Sequence, residues 1–478
     1  MPTIPPVNRA SSDAPTVLVM AAGEGTRMHS SVPKALHEVC GRPLVSWPIL
    51  AAREAGAGRI VTIVSPQRDI SAGLPAGTET VEQPEADGTG GAIRAAIDVI
   101  RDSETVVVLS ADHPVISADS ISDLLDAHSG DGAAATVLTA ELDDPGSYGR
   151  IVRDTDGALA RIVEAKEPGD ATAEELAIKE VNTGTYVFDA APLAEALDGI
   201  SNDNSQNEYY LGDVLPLIRA GGGRVGAHIA DDEGVTLGVN TRLDLSRATA
   251  VVRRRILEAH MLAGVTLIDP AATWIDATVE IEADVTIEPG TSLRGESRIG
   301  GGSAVGPNTT LIDSTLGQNV KATHSYLVEC EVLDGCSVGP FTHIRPQTVM
   351  QQGAKAGSFV ELKNAQIGEE AKVPHLSYVG DAEIGTGSNI GAGSITANYD
   401  GFRKHRTVVG DHCRIGVDTM FVAPVSIGDG AYTGAGTVVR KDVPEGTLAV
   451  PQENRQRHID GYAERRAKQA EENQDEGS

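Results

Sequence analysis

Residues 273–312 read TWIDATVEIEADVTIEPGTSLRGESRIGGGSAVGPNTTLI, and an aliphatic residue recurs at every sixth position of this stretch. The residues at this six-residue spacing are Ile275, Ile281, Ile287, Leu293, Ile299, Val305 and Leu311. A period of six fits neither an α-helix nor a half-buried flat strand. It is typical of the hexapeptide repeat of a parallel β-helix, in which three short strands make one triangular coil. We therefore expect these side chains to point into the coil.

The same spacing resumes farther along the chain after several slips of register. The later members are Val332, Val338, Ile344, Ile367, Val373, Val379, Ile384, Ile390, Val409, Ile415, Phe421 and Ile427. The 53 glycines fit the corners of such coils, and the scarcity of aromatic residues fits their narrow interior. The break from Thr396 to Val409 predicts a loop that leaves one coil. Cys330 and Cys336, six residues apart, are expected to stack as structural packing on the same face of successive coils.

The first half of the chain has a different pattern. Four apolar runs predict buried strands, at Thr16–Met20, Arg59–Ser65, Thr105–Ser110 and Ala133–Leu138. Stretches with helical spacing, such as Thr89 to Asp102, lie between them. This alternation predicts a mostly parallel sheet covered on both faces, with ligands at the carboxyl ends of its strands. A single Arg-rich helix, Thr241 to Leu262, marks the change from one pattern to the other.

Composition restricts the function. The chain has 478 residues, enough for two or three domains, and a formal charge of −29, which argues against nucleic-acid and anionic-membrane binding. Its four cysteines form no CxxC pair, which argues against a disulfide framework or a zinc site. No long apolar run is present, and the first 13 residues lack the apolar core of a signal peptide. A cytoplasmic protein is expected, with disordered ends at 1–14 and 464–478.

A glycine-rich turn follows the first predicted strand. It reads Ala21-Ala22-Gly23-Glu24-Gly25-Thr26-Arg27-Met28, with Pro33-Lys34 shortly after. Backbone N–H groups in such a turn form a nest for phosphate oxygens, and the two cations can neutralise phosphate charge. A simple tight turn is the alternative. Asp112 ends another strand, where it can hold Mg²⁺ against a phosphate or merely cap the next helix.

Polar residues also interrupt the hexapeptide region. Its motifs include Thr342-His343-Ile344-Arg345, Glu361-Leu362-Lys363-Asn364, His375-Leu376-Ser377-Tyr378 and Asn398-Tyr399-Asp400-Gly401. A histidine is a natural base for an amine that attacks a thioester, because its pKa lies near 7. The commoner alternative for a lone histidine in a repeat is a surface or subunit-contact residue.

The AAGxGTRM…PK loop resembles that of sugar-phosphate nucleotidylyltransferases. Together with the later motifs, the chain from about residue 15 to 463 resembles the bacterial bifunctional N-acetylglucosamine-1-phosphate uridyltransferase/glucosamine-1-phosphate acetyltransferase family. The resemblance implies an α/β fold: a Rossmann-like nucleotidyltransferase domain at 15–240, a linker helix at 241–263, and a left-handed parallel β-helix acetyltransferase domain at 264–463.

The resemblance also implies two reactions that make UDP-N-acetylglucosamine, the amino-sugar donor for cell-wall synthesis. Acetyl-CoA would acetylate glucosamine-1-phosphate. UTP would then transfer UMP to the acetylated sugar phosphate with Mg²⁺ and release pyrophosphate. The implied partners are small sugar phosphates and two further copies of the chain in a homotrimer.

Site residues carry over by matching motif. For the nucleotide and sugar they are Met20, Ala21, Ala22, Gly23, Arg27, Lys34, Gln83, Gly88, Thr89, Ser110, Ala111, Asp112, Gly149, Glu164, Asn182 and Asn240. Among these, Arg27 and Lys34 would act on the phosphates, and Asp112 with Asn240 would ligate Mg²⁺. In the β-helix, His375 would be the general base. Arg345, Lys363, Tyr378 and Asn389 would bind the sugar phosphate, and acetyl-CoA would lie along Ala392, Asn398, Tyr399, Lys404, Val417 and Ala435.

The chain departs from the family pattern at three places. Val417 replaces a serine near acetyl-CoA, Gly91 replaces a histidine, and Ser110-Ala111 replaces a Tyr/Ser-Gly pair. Two other functions stay open from the residues. One is a nucleotidylyltransferase for another sugar with a regulatory β-helix. His375 and Lys363 argue against it, because a purely structural coil does not need them. The other is an acyltransferase whose first half only senses a nucleotide. The presence of Arg27, Lys34, Asp112 and Asn240 argues against it.

Overall fold

The computed structural model describes residues 14–155, 157–165, 171–204 and 206–451. The chain divides into two units, one running through Ala283 and including Ser292–Ser297, the other comprising Asp284–Thr291 and the chain from Arg298 on. The predicted disordered ends lie outside the described residues, apart from Ala14. The predicted domain limits stay predictions. Within the described ranges, no helix combines the length and apolar character needed to cross a membrane.

The first unit is built on a mixed sheet. The strands that precede the last helix of this unit are β1 Thr16–Met20, β2 Glu38–Val39, β3 Arg42–Pro43, β4 Arg59–Val64, β5 Glu79–Glu82, β6 Thr105–Ser110, β7 Ala135–Glu141, β8 Arg150–Arg153, β9 Leu159–Val163, β10 Glu180–Asp189 and β11 Val225–Ile229. The sheet has the order β11-β7-β10-β6-β1-β4-β5, with β8 and β9 attached at β10.

The predicted parallel core of this sheet is confirmed, since β1 pairs in parallel with both β4 and β6. Two of the four predicted strands differ slightly at their ends: β4 stops at Val64, and β7 begins at Ala135. Strand β10 runs antiparallel to β6 and β7. Strand β10 was not predicted, because its apolar residues are interrupted by the polar segment Asn182-Thr183-Gly184-Thr185.

Helices cover both faces of the sheet, as expected. The α-helices are α1 Ser46–Glu54, α2 Thr89–Ala95, α3 Ile97–Arg101, α4 Ala118–Asp131, α5 Ala173–Leu176, α6 Ala190–Gly199, α7 Val214–Ala220 and α8 Arg242–Leu262. Short 3₁₀ turns lie at Thr26–Met28, Lys34–Leu36, Ser71–Gly73, Leu211–Asp213, Glu233–Thr236 and Pro270–Ala272. Within β1 the side chains alternate: Leu18 packs with Ile93 of α2, whereas Val17 and Val19 join the core that contains Ile49 of α1.

The predicted long helix is confirmed as α8. Thr241 is its N-cap and forms a reciprocal capping box with Asp244, in which each side chain accepts from the backbone N–H of the other residue. A capping box satisfies two helix-end donors at once and is worth about 1 kcal/mol. The polar pair therefore ends the preceding loop and starts the helix.

Short strands follow α8. They are β12 Thr266–Leu267, β13 Trp274–Ile275, β14 Glu280–Ile281, β15 Thr286–Ile287, β16 Ser292–Arg294, β17 Arg298–Ile299, β18 Ala304–Val305, β19 Thr310–Ile312, β20 Thr315–Leu316, β21 Lys321–Ala322, β22 Tyr326–Val328, β23 Cys330–Val332, β24 Ser337–Val338, β25 His343–Ile344, β26 Thr348–Met350, β27 Lys355–Ser358, β28 Glu361–Ile367, β29 Lys372–His375, β30 Tyr378–Ile384, β31 Ile395–Ala397, β32 Thr407–Val409, β33 Met420–Val422, β34 Val425–Ile427, β35 Tyr432–Thr433, β36 Val438–Val439 and β37 Leu448–Ala449.

In the second unit, β15 and the strands from β17 onward form the predicted β-helix. Three ladders of parallel pairs run along it, shown by Val305 opposite Ala322, Leu311 opposite Leu327 and Leu316 opposite Val332. All the aliphatic residues named from the six-residue period are buried, except the half-buried Ile281. One coil takes 16 or 17 residues in this part of the chain, so the strict period of six cannot persist, which explains its slips.

The expectation for the two cysteines is wrong. Cys330 begins β23 in the long sheet, whereas Cys336 precedes β24 in the seven-stranded sheet. Six residues correspond to one side of the triangle and not to a full coil, so the two thiols lie on different sides. All four cysteines are free and buried. The predicted loop is confirmed, because the chain leaves the coil after β31 and returns at β32.

The aliphatic interior is expected to carry the stability of the β-helix. Leu311 is fully buried, whereas Leu333 is 36% exposed. Leu311→Ala should cost about 2 to 5 kcal/mol, because it leaves a cavity in a closely packed interior. Calorimetric unfolding measures the loss. The control Leu333→Ala should change stability by about 0.5 kcal/mol at most, and equal losses in the two variants would contradict the assigned interior.

Candidate functional sites

A cavity of about 760 Å³ opens at the carboxyl ends of β1 and β6. The sequence-predicted residues that line it are Met20, Ala21, Ala22, Gly23, Arg27, Lys34, Gln83, Gly88, Thr89, Ser110, Ala111, Asp112 and Asn240. They come from segments far apart in sequence, which the parallel strands bring to one edge. This is the location expected for a ligand of such a sheet.

Two glycines shape the wall of this cavity. Gly25 has φ 64°, and a Cβ there would lie 2.6 Å from Cβ of Lys34. Gly88 has φ 101°, and a Cβ would lie 2.5 Å from the carbonyl oxygen of Tyr209. Left-handed backbone and this close approach both require glycine. The loop is thus held close to Lys34 while its backbone faces the cavity.

Four polar side chains meet on the floor of the cavity. Lys34 Nζ donates to a carboxylate oxygen of Asp112 and to Asn240 Oδ1, the latter at 3.1 Å. Arg27 Nη2 donates to the same Asn240 oxygen at 2.9 Å. The backbone N–H of Val239 donates to the carbonyl of Asp112 at 2.8 Å. These bonds tie the glycine-rich turn, the end of β6 and the segment before α8 into one cluster.

The Asp112 carboxylate is charged at neutral pH. Burial alone would raise the pKa of this carboxyl group, but the charge of Lys34, the neighbouring His113 and the hydrogen bond from Lys34 lower it to about 2. Its second oxygen, Oδ1, is buried and has no hydrogen-bond partner. A buried carboxylate oxygen without a partner is costly unless a ligand completes it.

These residues fit a magnesium ion. Mg²⁺ is commonly held by one or two carboxylates together with substrate phosphates, and the Asp112 carboxylate and Asn240 amide oxygens lie on one side of the cavity. Among the described residues, no cluster of three or more His, Cys, Asp or Glu side chains could hold a metal by itself. The donor set therefore suits an ion that arrives with its phosphate ligand.

A smaller cavity of about 170 Å³ adjoins the first and shares Met20, Thr89 and Glu208 with it. Glu164 and Asn182, both expected to bind a sugar, line it. The predicted Gly149 does not line either cavity; instead its carbonyl accepts from the backbone N–H of Asn182 at 2.9 Å. Gly149 thus holds Asn182 in place.

Asn182 is fixed further by a β-bulge. The pairing of β10 with β7 shifts register between Asn182 and Thr185, and Asn182 Oδ1 accepts from the backbone N–H of Gly184 at 2.9 Å. Its amide nitrogen donates to the Tyr186 hydroxyl at 2.8 Å. Bulges often direct a side chain toward a site. Here the bulge turns the polar segment that interrupts β10 toward the smaller cavity.

The structure explains one departure in the sequence. A Cβ on Gly91 would lie 1.8 Å from Asp87 Oδ1. That oxygen accepts from the Gln83 side-chain amide at 2.9 Å. A histidine at position 91 is incompatible with this Asp87–Gln83 pair, so Gly91 and Asp87 form a matched set.

In the second unit, a polar cluster surrounds Asp381 at one corner. Its carboxylate accepts from Asn364 at 2.7 Å and from Asn398, and it lies 4.0 Å from the Lys363 ammonium. Burial opposes ionisation of Asp381, but the two amide hydrogen bonds keep its pKa below the usual value. Asn398 also lies 3.4 Å from the Tyr378 hydroxyl.

More cationic groups extend this cluster. A hydrogen bond and the charge of the neighbouring Lys363 lower the pKa of Lys404. Arg345, one coil below Lys363 on the same ladder, pairs with Glu361 at 2.8 Å. Tyr399, also predicted, is 62% exposed in the loop after β31. Two adjacent ammonium groups favour an anionic ligand.

His375 lies at a different corner of the coils, at the end of β29. Its carbonyl accepts from the Ser377 hydroxyl at 2.7 Å, and its side chain is exposed. Hydrogen bonds between coils stack Ala392, Val417 and Ala435 above it along this corner. Asn389 lies on the adjoining side, paired with Lys372 and Arg414. The predicted β-helix residues therefore form two groups on one chain, a corner with His375 and a corner with Asp381.

Several residues at these sites were not predicted from the sequence. Glu208 lies between the two cavities, held by the backbone pairing of Tyr209 with Asp87 and Gly90. Its segment has no recognisable motif, so only the fold reveals it. Asp381 carried a signal, since it follows the predicted Tyr378 by three residues in the motif SYVGD.

The Gly91 contact is testable through Gly91→Ala. The added methyl group should displace Asp87 from Gln83 and weaken nucleoside-triphosphate binding by about tenfold or more, the scale of losing one buried hydrogen-bond partner. Isothermal titration calorimetry measures the affinity. The control Gly130→Ala adds a methyl group with no atom within 4 Å and should leave binding unchanged. Unaltered affinity in a folded Gly91→Ala protein would remove this contact from the site.

Comparison with known proteins gives consistent matches over both units. Residues 17–179 match the family described as MobA-like NTP transferase domain, and residues 406–441 match the bacterial transferase hexapeptide (six repeats) family. The protein named "Bifunctional protein GlmU" of Streptomyces avermitilis is 48% identical over 458 residues, which are 94% of each chain. Its namesake in Kineococcus radiotolerans is 49% identical over 92% of this chain and 90% of its own. That of Corynebacterium glutamicum is 47% identical over 96% and 95%.

Proposed function

The chain belongs to the family of bifunctional GlmU proteins, and from this premise we propose how its residues perform the two reactions. It is a glucosamine-1-phosphate acetyltransferase and an N-acetylglucosamine-1-phosphate uridylyltransferase of UDP-N-acetylglucosamine synthesis. The observation that carries the site assignment is the cluster of Lys34, Arg27, Asp112 and Asn240 beneath the glycine-rich turn.

Uridylyl transfer is assigned to the two adjoining cavities. A phosphate oxygen of N-acetylglucosamine-1-phosphate attacks the α-phosphorus of UTP, and the bond to the leaving pyrophosphate breaks. Such transfers need positioning and charge neutralisation more than covalent chemistry by the protein. We assign Arg27 and Lys34 to neutralising the phosphates and Glu164 with Asn182 to orienting the sugar. Gln83 is assigned to the uracil edge.

Asp112 and Asn240 are assigned to Mg²⁺. The ion, when bound, neutralises charge that develops on the triphosphate. Lys34 contacts one oxygen of Asp112, whereas the other, Oδ1, accepts no hydrogen bond and lies 3.6 Å from His113 Nε2, so a further ligand can bind it. The hydrogen bond from the Val239 N–H to the Asp112 carbonyl supports this assignment, because it holds the segment that carries Asn240 next to Asp112.

Acetyl transfer is assigned to the β-helix. The amine of glucosamine-1-phosphate attacks the thioester carbonyl of acetyl-CoA and forms the amide C–N bond. The C–S bond breaks, coenzyme A leaves as its thiolate, and His375 accepts the proton that the attacking nitrogen loses. Arg345, Lys363, Tyr378 and Asn389 are assigned to the sugar phosphate. Ala392, Asn398, Tyr399, Lys404, Val417 and Ala435 are assigned to acetyl-CoA. The close approach of the Lys363 and Lys404 ammonium groups supports a phosphate in this region.

We propose a homotrimer assembled through the β-helix. Phe341, Phe359 and Leu376 are 57%, 59% and 63% exposed along the corner that contains His375, and the two phenylalanine rings stack at 5.2 Å. All three have positive φ, which is costly for bulky residues and marks a constrained position. An exposed apolar column of this kind suits contact with another copy.

Because UTP and acetyl-CoA are cytoplasmic metabolites, we also propose a cytoplasmic location.

The two activities should separate by mutation. Asp112→Asn removes the carboxylate charge from the proposed metal site and should lower uridylyl transfer at least about a hundredfold, since charge stabilisation of this kind is worth several kcal/mol. Acetyl transfer should stay near wild type. The exposed Asp123 of α4 offers a matched control, Asp123→Asn, which should affect neither reaction. Parallel loss of both activities in a folded Asp112→Asn protein would contradict the two-site assignment.

His375→Ala should lower acetyl transfer by about 10²-fold or more, the usual effect of removing a positioned base. Uridylyl transfer should be unaffected. His412→Asn, a change at another exposed histidine of the β-helix, is the control. An unchanged acetylation rate in His375→Ala would exclude His375 as the base.

Light scattering should give a mass about three times 49.7 kDa. Because the His375 corner and the Asn398 corner are separate on one chain, mixed trimers of His375→Ala and Asn398→Ala chains should recover acetyl transfer if neighbouring chains share a site. Verified mixed trimers without any recovery would place both residues in one subunit's site. A monomer in solution would exclude the shared-site arrangement.

A further inference from the structure

One side chain of the larger cavity, Gln83, has both of its N–H groups engaged within the protein. Gln83 follows β5 directly, and its backbone N–H donates to the Val64 carbonyl at 2.8 Å. It is only 6% exposed and yet lines the cavity. Its side-chain nitrogen Nε2 donates to Asp87 Oδ1 at 2.9 Å and to the Gly88 carbonyl at 3.3 Å. Since a carboxamide nitrogen carries two hydrogens, no side-chain donor is left for a ligand.

The chemistry of the two neighbours fixes the orientation of this amide. An ionised carboxylate and a backbone carbonyl only accept hydrogen bonds, whereas a carboxamide has a donor end and an acceptor end. If the Gln83 amide turned over, its oxygen Oε1 would face the Asp87 and Gly88 oxygens, and both hydrogen bonds would be lost. Unmade hydrogen bonds are costly in a buried position such as this one. The nitrogen therefore stays on the side of Asp87.

The acceptor end of the same amide remains available. No N–H or O–H group of the described residues donates to Gln83 Oε1, and this oxygen is not sealed in the interior. The two occupied N–H bonds and the free oxygen have one consequence for recognition. Toward a ligand in the cavity, the Gln83 side chain acts as a hydrogen-bond acceptor only, although an unrestrained glutamine can turn over and act as either partner.

Asp87 is held in place from several directions. Its backbone carbonyl accepts from the Tyr209 N–H at 2.8 Å, and its own N–H donates to the Glu85 carbonyl at 3.0 Å. Its carboxylate occupies the space that a Cβ on Gly91 would need. Asp87 is not among the described residues that line the two cavities. Its influence on a bound nucleotide must therefore pass through Gln83.

We propose that Asp87 is a positioning residue that sets the base specificity of uridylyl transfer, by holding Gln83 as an acceptor for the base. The inference rests on the proposed function, in which Gln83 reads the uracil edge. The base of a uridine nucleotide has a single N–H group, at N3, so Gln83 Oε1 accepts from it. Cytosine has a lone pair at N3, which would face Oε1 as a second acceptor. Asp87 prevents the amide from turning over to donate to that lone pair.

The test compares the full-length wild type with Asp87→Ala, in which Gln83 keeps only the Gly88 carbonyl and can turn over. The ratio of kcat/KM for UTP to kcat/KM for CTP should fall about tenfold, the scale of one buried hydrogen bond. By calorimetry, the Kd should rise for UTP and fall for CTP. The analogue 4-thio-UTP keeps the N3–H and should behave as UTP does in both proteins. The KM for N-acetylglucosamine-1-phosphate and the rate of acetyl transfer should not change.

Two further variants separate base specificity from a structural effect. Glu85→Ala removes an exposed carboxylate two residues away and should leave the UTP/CTP ratio unchanged. Gly91→Ala displaces the Asp87 carboxylate without removing it and should lower the ratio in the same direction, which also covers the case that Asp87→Ala does not fold. Equal weakening of UTP and CTP in a folded variant, or a wild type without preference for UTP, would overturn the inference. Absence of uridylyl transfer in the wild type would overturn the proposed function, while the calorimetric Kd ratio still decides whether Asp87 sets the base preference.

Discussion

The closed interior of the β-helix is the constraint on which the second unit depends. Each coil must place an aliphatic side chain inside each of its sides, so the next coil can stack only in parallel register above it. Leu311, Leu327 and Ile344 illustrate this, since all are fully buried along one ladder. Once register is fixed, every outward residue acquires a neighbour about 4.8 Å away in the next coil. The stacking of Ala392, Val417 and Ala435 above His375 on successive coils follows from this geometry.

In the first unit the main constraint is electrostatic, because a phosphate must bind to a chain with a formal charge of −29. Parallel strands deliver Asp112 and the glycine-rich turn to one edge of the sheet, and Asn240 arrives just before α8. Lys34 links Asp112 and Asn240 by donating a hydrogen bond to each. A local group of cations and backbone donors thus offsets the unfavourable overall charge, which matters little beyond a screening length of about 10 Å.

Much of this could be predicted because the signals were periodic or lay at strand ends. The six-residue period predicted the buried side of nearly every coil, and the apolar runs predicted β1 and β6 with their observed ends. Residues such as Asp112 were found because they follow such runs directly. The family resemblance supplied the rest of the residue assignments, which the periodicity alone does not give.

Other features depend on contacts between distant segments and left no local signal. Glu208 reaches the cavities only because the backbone of Tyr209 pairs with Asp87 and Gly90. The close approach of Asp87 to Gly91 depends on how the start of α2 packs against the loop before it. The placement of Cys330 and Cys336 on different sides required knowing that a coil, and not a hexapeptide, is the stacking unit. Residues that act through packing geometry therefore need the fold, whereas residues that follow periodic strands do not.

One experiment tests the central claim, that a single chain performs both transfers in a fixed order. Purified protein is incubated with glucosamine-1-phosphate, acetyl-CoA labelled in the acetyl group, UTP and Mg²⁺, and products are followed by mass spectrometry over time. The account predicts labelled N-acetylglucosamine-1-phosphate first and labelled UDP-N-acetylglucosamine after it, with pyrophosphate released in the second step. Formation of UDP-glucosamine before any acetylated sugar phosphate, or absence of the label from the nucleotide sugar, would contradict it.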